Sequence, residues 1–159
     1  MSGEALGRDN VGFLLAKASQ RWNELLQRGF AAAGFPEVRA SYGSLLVPLF
    51  EEDGLRQGEL AQRARLSKQT LTTMARALES DGLIERRPDP SDARATLVFL
   101  TPHARRLRPV AERVLGELDA RVAASVGPAD RGPLVRSLKA IMAVENESDV
   151  PESDRPVLS

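Results

Sequence analysis

Two short helical periodicities, residues 57–64 (QGELAQRA) and 68–80 (KQTLTTMARALES), are separated only by Arg65-Leu66-Ser67. So short a joint forces the two helices to cross and pack against each other across a tight turn. Leu60 and Ala61 on the first, Leu66 in the turn, and Leu71, Met74 and Leu78 on the second have the spacing for that packing. Ala61 and Ala64 are small where the helices approach. Ser67 can accept from the backbone N–H groups that open the second helix, and Asp81-Gly82 ends it with a residue suited to the left-handed conformation.

The flanking segments frame this pair. Residues 11–33 carry apolar side chains at 11, 14, 15, 18, 22, 25, 26 and 30, a helical spacing with a broad apolar face. The helix ends at Gly34, with Pro36 close behind. Residues 41–52 read as a second helix that Pro48 should kink or loosen. After the tight pair, LIERR and ATLVFL alternate as strands separated by PDPSDAR, whose prolines and aspartates predict a loop. Thr101-Pro102 starts a long helix over about 102–125 that stops at Gly127-Pro128, and a last helix covers about 130–144. No internal repeat is present. The expected fold is mainly α (α+β): a winged helix-turn-helix with a small β-hairpin wing and helical extensions at both ends. The expected division is an N-terminal dimerisation helix (1–35), a DNA-binding domain (36–101), C-terminal dimerisation helices (102–145) and a disordered acidic tail (146–159).

The outward face of the second helix of the pair carries the chemistry. Ser67, Lys68, Gln69 and Thr70 lead it, followed by Thr72, Thr73 and Arg76. A helix in the DNA major groove reads base edges mostly with its N-terminal residues. Glutamine can pair two ways with adenine, and threonine can donate, accept or touch a thymine methyl. Ser67, Thr70 and Thr73 are also sized for phosphate contacts. The bland alternative is an ordinary amphipathic helix with a polar outer face. Charge fits a polyanion-binding face and a solvated charged surface equally: eleven Arg or Lys and six acids lie between Arg56 and Arg108. The flanks balance that excess of five, with acids at Glu145, Glu147, Asp149, Glu152 and Asp154. A chain neutral overall can therefore meet a polyanion with a basic middle.

The run from Glu59-Leu60-Ala61, through Leu78-Glu79 to Arg86, to Asp89-Pro90, Asp92, Arg94 and Leu100-Thr101 is similar to the DNA-binding core of MarR-family transcriptional regulators. The motif spans about 45 residues, and the helical layout resembles the family over roughly residues 10–145. The resemblance implies that Arg94, at the wing tip, enters the minor groove, where A·T-rich sequence concentrates negative potential. It implies that Asp92 holds that arginine in place; a surface ion pair steadying the loop is the alternative. Lys68, Arg86 and Arg87 become phosphate contacts, with a structural role open for Arg86. Two features depart from the family pattern: Arg56 stands where a Ser or Thr cap is usual, and Pro48 interrupts the second helix.

Apolar residues at Leu107, Val110, Val114, Leu115, Leu118, Val122, Leu134, Leu138, Ile141 and Met142 exceed what one small core would bury. They predict a homodimer built from both chain ends, which would match an inverted-repeat operator on double-stranded DNA; a self-contained helical cap is the alternative. The resemblance further implies release from DNA by a small aromatic or anionic effector, for which Trp22, Phe30, Tyr42 and His103 are the candidates against simple core packing. No cysteine and a single histidine exclude disulfides, thiol sensing and a multi-histidine zinc site within one chain. No cofactor, no metal and no enzymatic constellation is expected. A winged helix used only as a protein-interaction module would lack Lys68, Gln69 and Arg94. No apolar run reaches the roughly 18 residues of a membrane span, and no basic stretch leads into an apolar one at the N-terminus. These features fit a cytoplasmic protein, a homodimeric sequence-specific regulator and most simply a repressor.

Overall fold

The computed structural model describes residues 7–144. These divide into two compact units, one ending at Leu118 and the other beginning at Asp119. The expected acidic tail lies outside the described residues.

Helix α1 (Val11–Ala32) is opened by Asn10, whose side chain accepts from the Phe13 N–H at 3.2 Å. Its C-terminal half enters the core through Leu26 and Phe30. Its N-terminal half leaves Val11, Phe13 and Leu14 in solvent. Close packing of α1 on α5 (Pro102–Val126) depends on Gly29, where an added Cβ would stand 2.6 Å from a methyl of Val114. A short 3-10 turn (Ala40–Tyr42) leads into α2 (Gly43–Glu51). Pro48 sits inside α2 and is buried there, so its missing N–H is traded for core packing. The Arg108 guanidinium donates to the Phe50 carbonyl at 2.9 Å near the end of that helix.

The helix pair is α3 (Gln57–Ala64) and α4 (Lys68–Ser80). Ser67 caps α4 as its position predicts, accepting from Thr70 N–H at 3.1 Å. Strands β2 (Ile84–Asp89) and β3 (Asp92–Leu100) form the hairpin. Only Pro90 and Ser91 separate them, so the loop expected over 88–94 is mostly paired ribbon, with a register irregularity at Pro88/Asp89. Proline there is compatible with an edge strand, whose outward N–H needs no partner. A strand that the sequence did not signal, β1 (Leu55–Arg56), pairs antiparallel with β3, giving the order β1-β3-β2. Two residues are too few to show alternation.

The core gathers Leu45, Leu49, Leu60, Leu71, Leu78, Leu83, Ile84 and Val98, all essentially inaccessible, with Ala104, Leu107, Val114 and Leu118 from α5. The first unit therefore takes in α1 and the beginning of α5 as well as residues 36–101. In the second unit, α6 (Arg131–Met142) buries none of its side chains, and Arg131 pairs with Asp119 at 2.7 Å.

Gly54 meets two constraints at once. Its φ is +76°, and a Cβ would stand 2.7 Å from the Phe99 ring of β3. Gly54→Ala should destabilise the fold by about 2–4 kcal/mol, combining left-handed strain with overpacking. Chemical unfolding of the two proteins measures it; a loss below about 0.5 kcal/mol would show the ring free to move aside.

Candidate nucleic-acid interface

Seven residues singled out on α4 and its cap all reach the surface, because Leu71, Ala75 and Leu78 take the opposite face into the core. Ser67, Lys68, Gln69, Thr70, Thr73 and Arg76 are exposed, and Thr72 is half-buried. Their hydroxyls are not all equally available. Thr72 donates to the Lys68 carbonyl at 2.8 Å and accepts from the Gln57 amide at 3.2 Å. Thr73 donates to the Gln69 carbonyl at 3.1 Å, and Ser67 and Thr70 share one hydrogen bond at 2.8 Å. Thr73 is thus left mainly as an acceptor, while Gln69 and Lys68 keep their full polar heads for a partner.

The helix presents these side chains, Arg76 excepted, to two concavities. One, of about 980 Å³, runs between the α3–α4 turn and the wing and is lined by Arg56, Gln57, Arg65, Ser67, Lys68, Thr72 and Arg94. The other, of about 420 Å³, is lined by Arg39, Ser41, Tyr42, Gln69, Thr70 and Thr73. Arg86 and Arg87 line neither; with Glu79, Pro88 and Thr96 they border a third hollow of about 360 Å³. Their positions explain why. Arg86 donates to Glu79 through Nε (3.1 Å) and Nη2 (2.6 Å), holding that carboxyl below its ordinary range and bracing β2 against α4. Arg87 pairs with Glu85 and lies over the Phe99 ring, 4.9 Å from its centroid. Both cations are paired with acids of the chain, Arg86 half-buried and Arg87 at the surface.

The wing tip is organised differently from the expectation. The Asp92 carboxylate accepts from the backbone N–H of Arg94 at 3.0 Å and not from its guanidinium, which has no hydrogen-bonding partner among the described residues. A short polar side chain reaches a backbone N–H two residues on more easily than it reaches the end of a long arginine. The organising acid is Asp89, buried to 7% exposure. One oxygen accepts from the Ser91 N–H (2.8 Å) and Ser91 hydroxyl (2.7 Å), and the other from Arg56 at 2.7 Å. Arg56 also donates to Ser91 Oγ at 3.2 Å. The Ser91 hydroxyl most of all, then the Ser91 N–H and Arg56, hold the Asp89 carboxyl below its ordinary value. Arg56 opens α3 without a side-chain cap and instead ties β1 to the wing tip. Neither role is visible locally, since the partners lie more than thirty residues apart.

Of the four candidate effector residues, three belong to the core or pack against it. Phe30 and Tyr42 are core residues, and Trp22 packs half-buried against that core. Tyr42 donates to Asp81 at 2.5 Å; burial first, and then that bond, push its hydroxyl above the ordinary tyrosine value. His103 stacks on Phe35 (4.9 Å between centroids) and bonds Glu37 through Nε2. Among the described residues no group of three or more metal-binding side chains occurs, and no helix is long and apolar enough to cross a membrane.

The family model for the MarR family matches residues 41–96. An HTH-type transcriptional repressor of Mycobacterium tuberculosis is 35% identical over 98 residues, covering 56% of this chain and 70% of the repressor. The HTH-type transcriptional regulator TtmR of Methylorubrum extorquens is 38% identical over 64 residues, covering 40% of this chain and 33% of that longer regulator. Among solved structures, the transcriptional repressor CouR bound to a 23-mer DNA duplex superposes with a TM-score of 0.71 at 25% identity, covering 86% of this chain and 98% of CouR.

The Asp89 network makes a testable claim about pH. A carboxyl held below its unfolded value stabilises the fold fully above about pH 4 and ceases to as pH falls through the folded value. The protection of β2 and β3 amides, taken relative to their intrinsic exchange rate at each pH, should therefore stay high at neutral pH and fall only in acid. Asp89→Asn should be less protected at neutral pH and lack the acid step; an unchanged acid step in that variant would assign it to another carboxyl.

Proposed function

The chain belongs to the MarR family of transcriptional regulators, and from that premise we propose that it is a homodimeric repressor that binds an inverted-repeat operator on double-stranded DNA. The observation that carries the proposal is the trough shared by the α4 N-terminus and the wing, where Lys68 and Arg94 present cationic heads with no acid partner among the described residues. In this reading α4 enters the major groove, with Gln69 reading a base edge and Ser67, Thr70, Thr72, Thr73 and Arg76 contacting bases and phosphates at its rim. Arg94 enters the adjacent minor groove. Asp92 fixes the backbone from which Arg94 springs. Arg87 supplies peripheral charge, and Arg86 serves as the brace between wing and helix.

One α4 and one wing make a small footprint, and a twofold doubles it. Apolar side chains left in solvent at both ends of the described chain support the dimer: Val11, Phe13 and Leu14 on α1, and Leu138, Ile141 and Met142 on α6. Residues 1–35 and 102–145 supply the dimer elements in this proposal, and the protein acts in the cytoplasm, where a bacterial chromosome is reached. The same proposal carries release by a small aromatic or anionic molecule. Of the residues singled out for it, Trp22 and His103 keep solvent access, whereas Phe30 and Tyr42 are committed to the core.

Selection of bound duplexes from a random pool should return an inverted repeat with half-sites about one helical turn apart. On that duplex, Arg94→Ala should lose several-fold or more in affinity at fixed physiological salt while the chain stays folded, and Gln69→Ala should relax preference at particular base positions. Recovery of no enriched sequence, or unchanged binding by Arg94→Ala, would overturn the proposal or the wing's part in it respectively.

A further inference from the structure

We infer that Arg65 is a DNA-backbone contact, kept at the α3–α4 joint in a conformation that arginine disfavours so that its guanidinium can neutralise a phosphate beside the recognition helix. This rests on the DNA-binding reading above and adds a residue to it.

The backbone sets the problem. Helix α3 ends with Leu66 N–H donating to the Ala61 carbonyl at 3.0 Å and Arg65 N–H to the Gln62 carbonyl at 3.1 Å. That closure requires a left-handed residue at position 65, a place where glycine is strongly preferred. Arg65 has φ 53° and ψ 43°. Every other residue with positive φ among those described is glycine, at 34, 54, 82 and 127. The chain therefore uses glycine at its left-handed positions with this one exception.

Nothing inside the fold accounts for the exception. Arg65 is exposed and makes no side-chain hydrogen bond or ion pair among the described residues. A cation near a helix C-terminus gains from the helix dipole, but Arg63 already stands in the last turn of α3 without backbone strain, paired with Glu52 and Glu59. Strain retained at a position without an internal partner points to a contact outside the chain. The place of Arg65 names that contact. It lines the same trough as Ser67, Lys68 and Arg94, two residues before the α4 cap. A base-reading role is the less fitting one, because it precedes the helix N-terminus whose side chains face the groove. A phosphate flanking the groove is the ligand that position meets.

The test compares Arg65→Gly, Arg65→Lys and Arg94→Ala with the full chain. The probes are a duplex selected from a random pool and a scrambled duplex of equal length, titrated over a series of salt concentrations. Arg65→Gly should keep or raise the thermal midpoint, since the backbone strain is relieved. It should weaken binding several-fold and by a similar factor on both duplexes. Its plot of log affinity against log salt should be shallower by about 0.9 for each phosphate that is no longer neutralised. Arg65→Lys should retain the wild-type slope. Wild-type affinity and slope for Arg65→Gly, with Arg94→Ala weakened in parallel, would overturn the inference and leave the DNA reading intact. An Arg65→Lys variant as weak as Arg65→Gly, or weakening that follows a lowered midpoint, would also overturn it. If the wild-type chain binds neither duplex, the DNA reading fails and this phosphate contact fails with it.

Discussion

The junction between β3 and α5 is the point on which the relative placement of α4 and the wing depends. Thr101 N–H donates to the Leu83 carbonyl at 3.1 Å, and its hydroxyl donates to the Gly82 carbonyl at 2.7 Å while accepting from the Ala104 N–H at 3.1 Å. Asp53 closes the other side, accepting from Leu100 N–H at 2.8 Å and from Arg105 at 2.7 Å. Four segments therefore meet through directional bonds: the end of α2, the turn after α4, the last residue of the wing, and the first turn of α5. Each bond is worth only about 1 kcal/mol net, but together they fix angles that hydrophobic packing alone leaves adjustable. A displacement of α5 would act on the base of the wing and on the end of α4 together, because the same residues hold both.

The wing is held by two different forces along its length. At its base, Ile84, Val98 and Leu100 are buried, and burial of that kind is strong and non-directional. Toward the tip the side chains turn outward, and stability passes to the Asp89–Ser91–Arg56 network. A polar network gives up its contribution when a single member is removed, so opening of this protein's ribbon is expected to begin at the tip. Beyond that network Arg94 has an ordered backbone and a free side chain. On the proposed reading, the rotamer entropy of its guanidinium would be surrendered on meeting DNA and not beforehand, lowering affinity and leaving the arginine able to adapt to grooves of different width.

Local chemistry makes much of this legible from residues alone. The caps at Ser67 and Thr101, the tight joint of α3 and α4, the inward Leu71 and Leu78, and the course of α5 all follow from spacing within a few residues. The departures share a cause. β1 is two residues long and exists only because β3 offers it a partner. The extension of the hairpin through Pro88 and Ala93 depends on strand pairing that overrides the loop-like composition. With only sequence neighbours to weigh, Arg56 resembles a missing cap and Asp92 the acid that aims Arg94. The actual pairing of Arg56 with Asp89 crosses from one sheet edge to the wing tip. The Arg86 bond to Glu79 likewise joins a strand to a helix.

Those pairings change what the basic middle of the chain means. Of the cations between Arg56 and Arg108, six are paired with acids: Arg56 with Asp89, Arg63 with Glu52 and Glu59, Arg86 with Glu79, Arg87 with Glu85, Arg105 with Asp53 and Arg108 with Glu112. Arg106 reaches the His103 ring at 3.5 Å. Arg65, Lys68, Arg76 and Arg94 have no such partner among the described residues. Surface pairs of this kind add little stability, up to about 1 kcal/mol each, so their weight lies in selection. They neutralise part of the basic surface, including Arg56 within the trough itself, and they leave uncompensated charge on the helix-turn-helix and the wing. A polyanion approaching the molecule meets a field shaped by which arginines lack an acid, not by how many arginines there are.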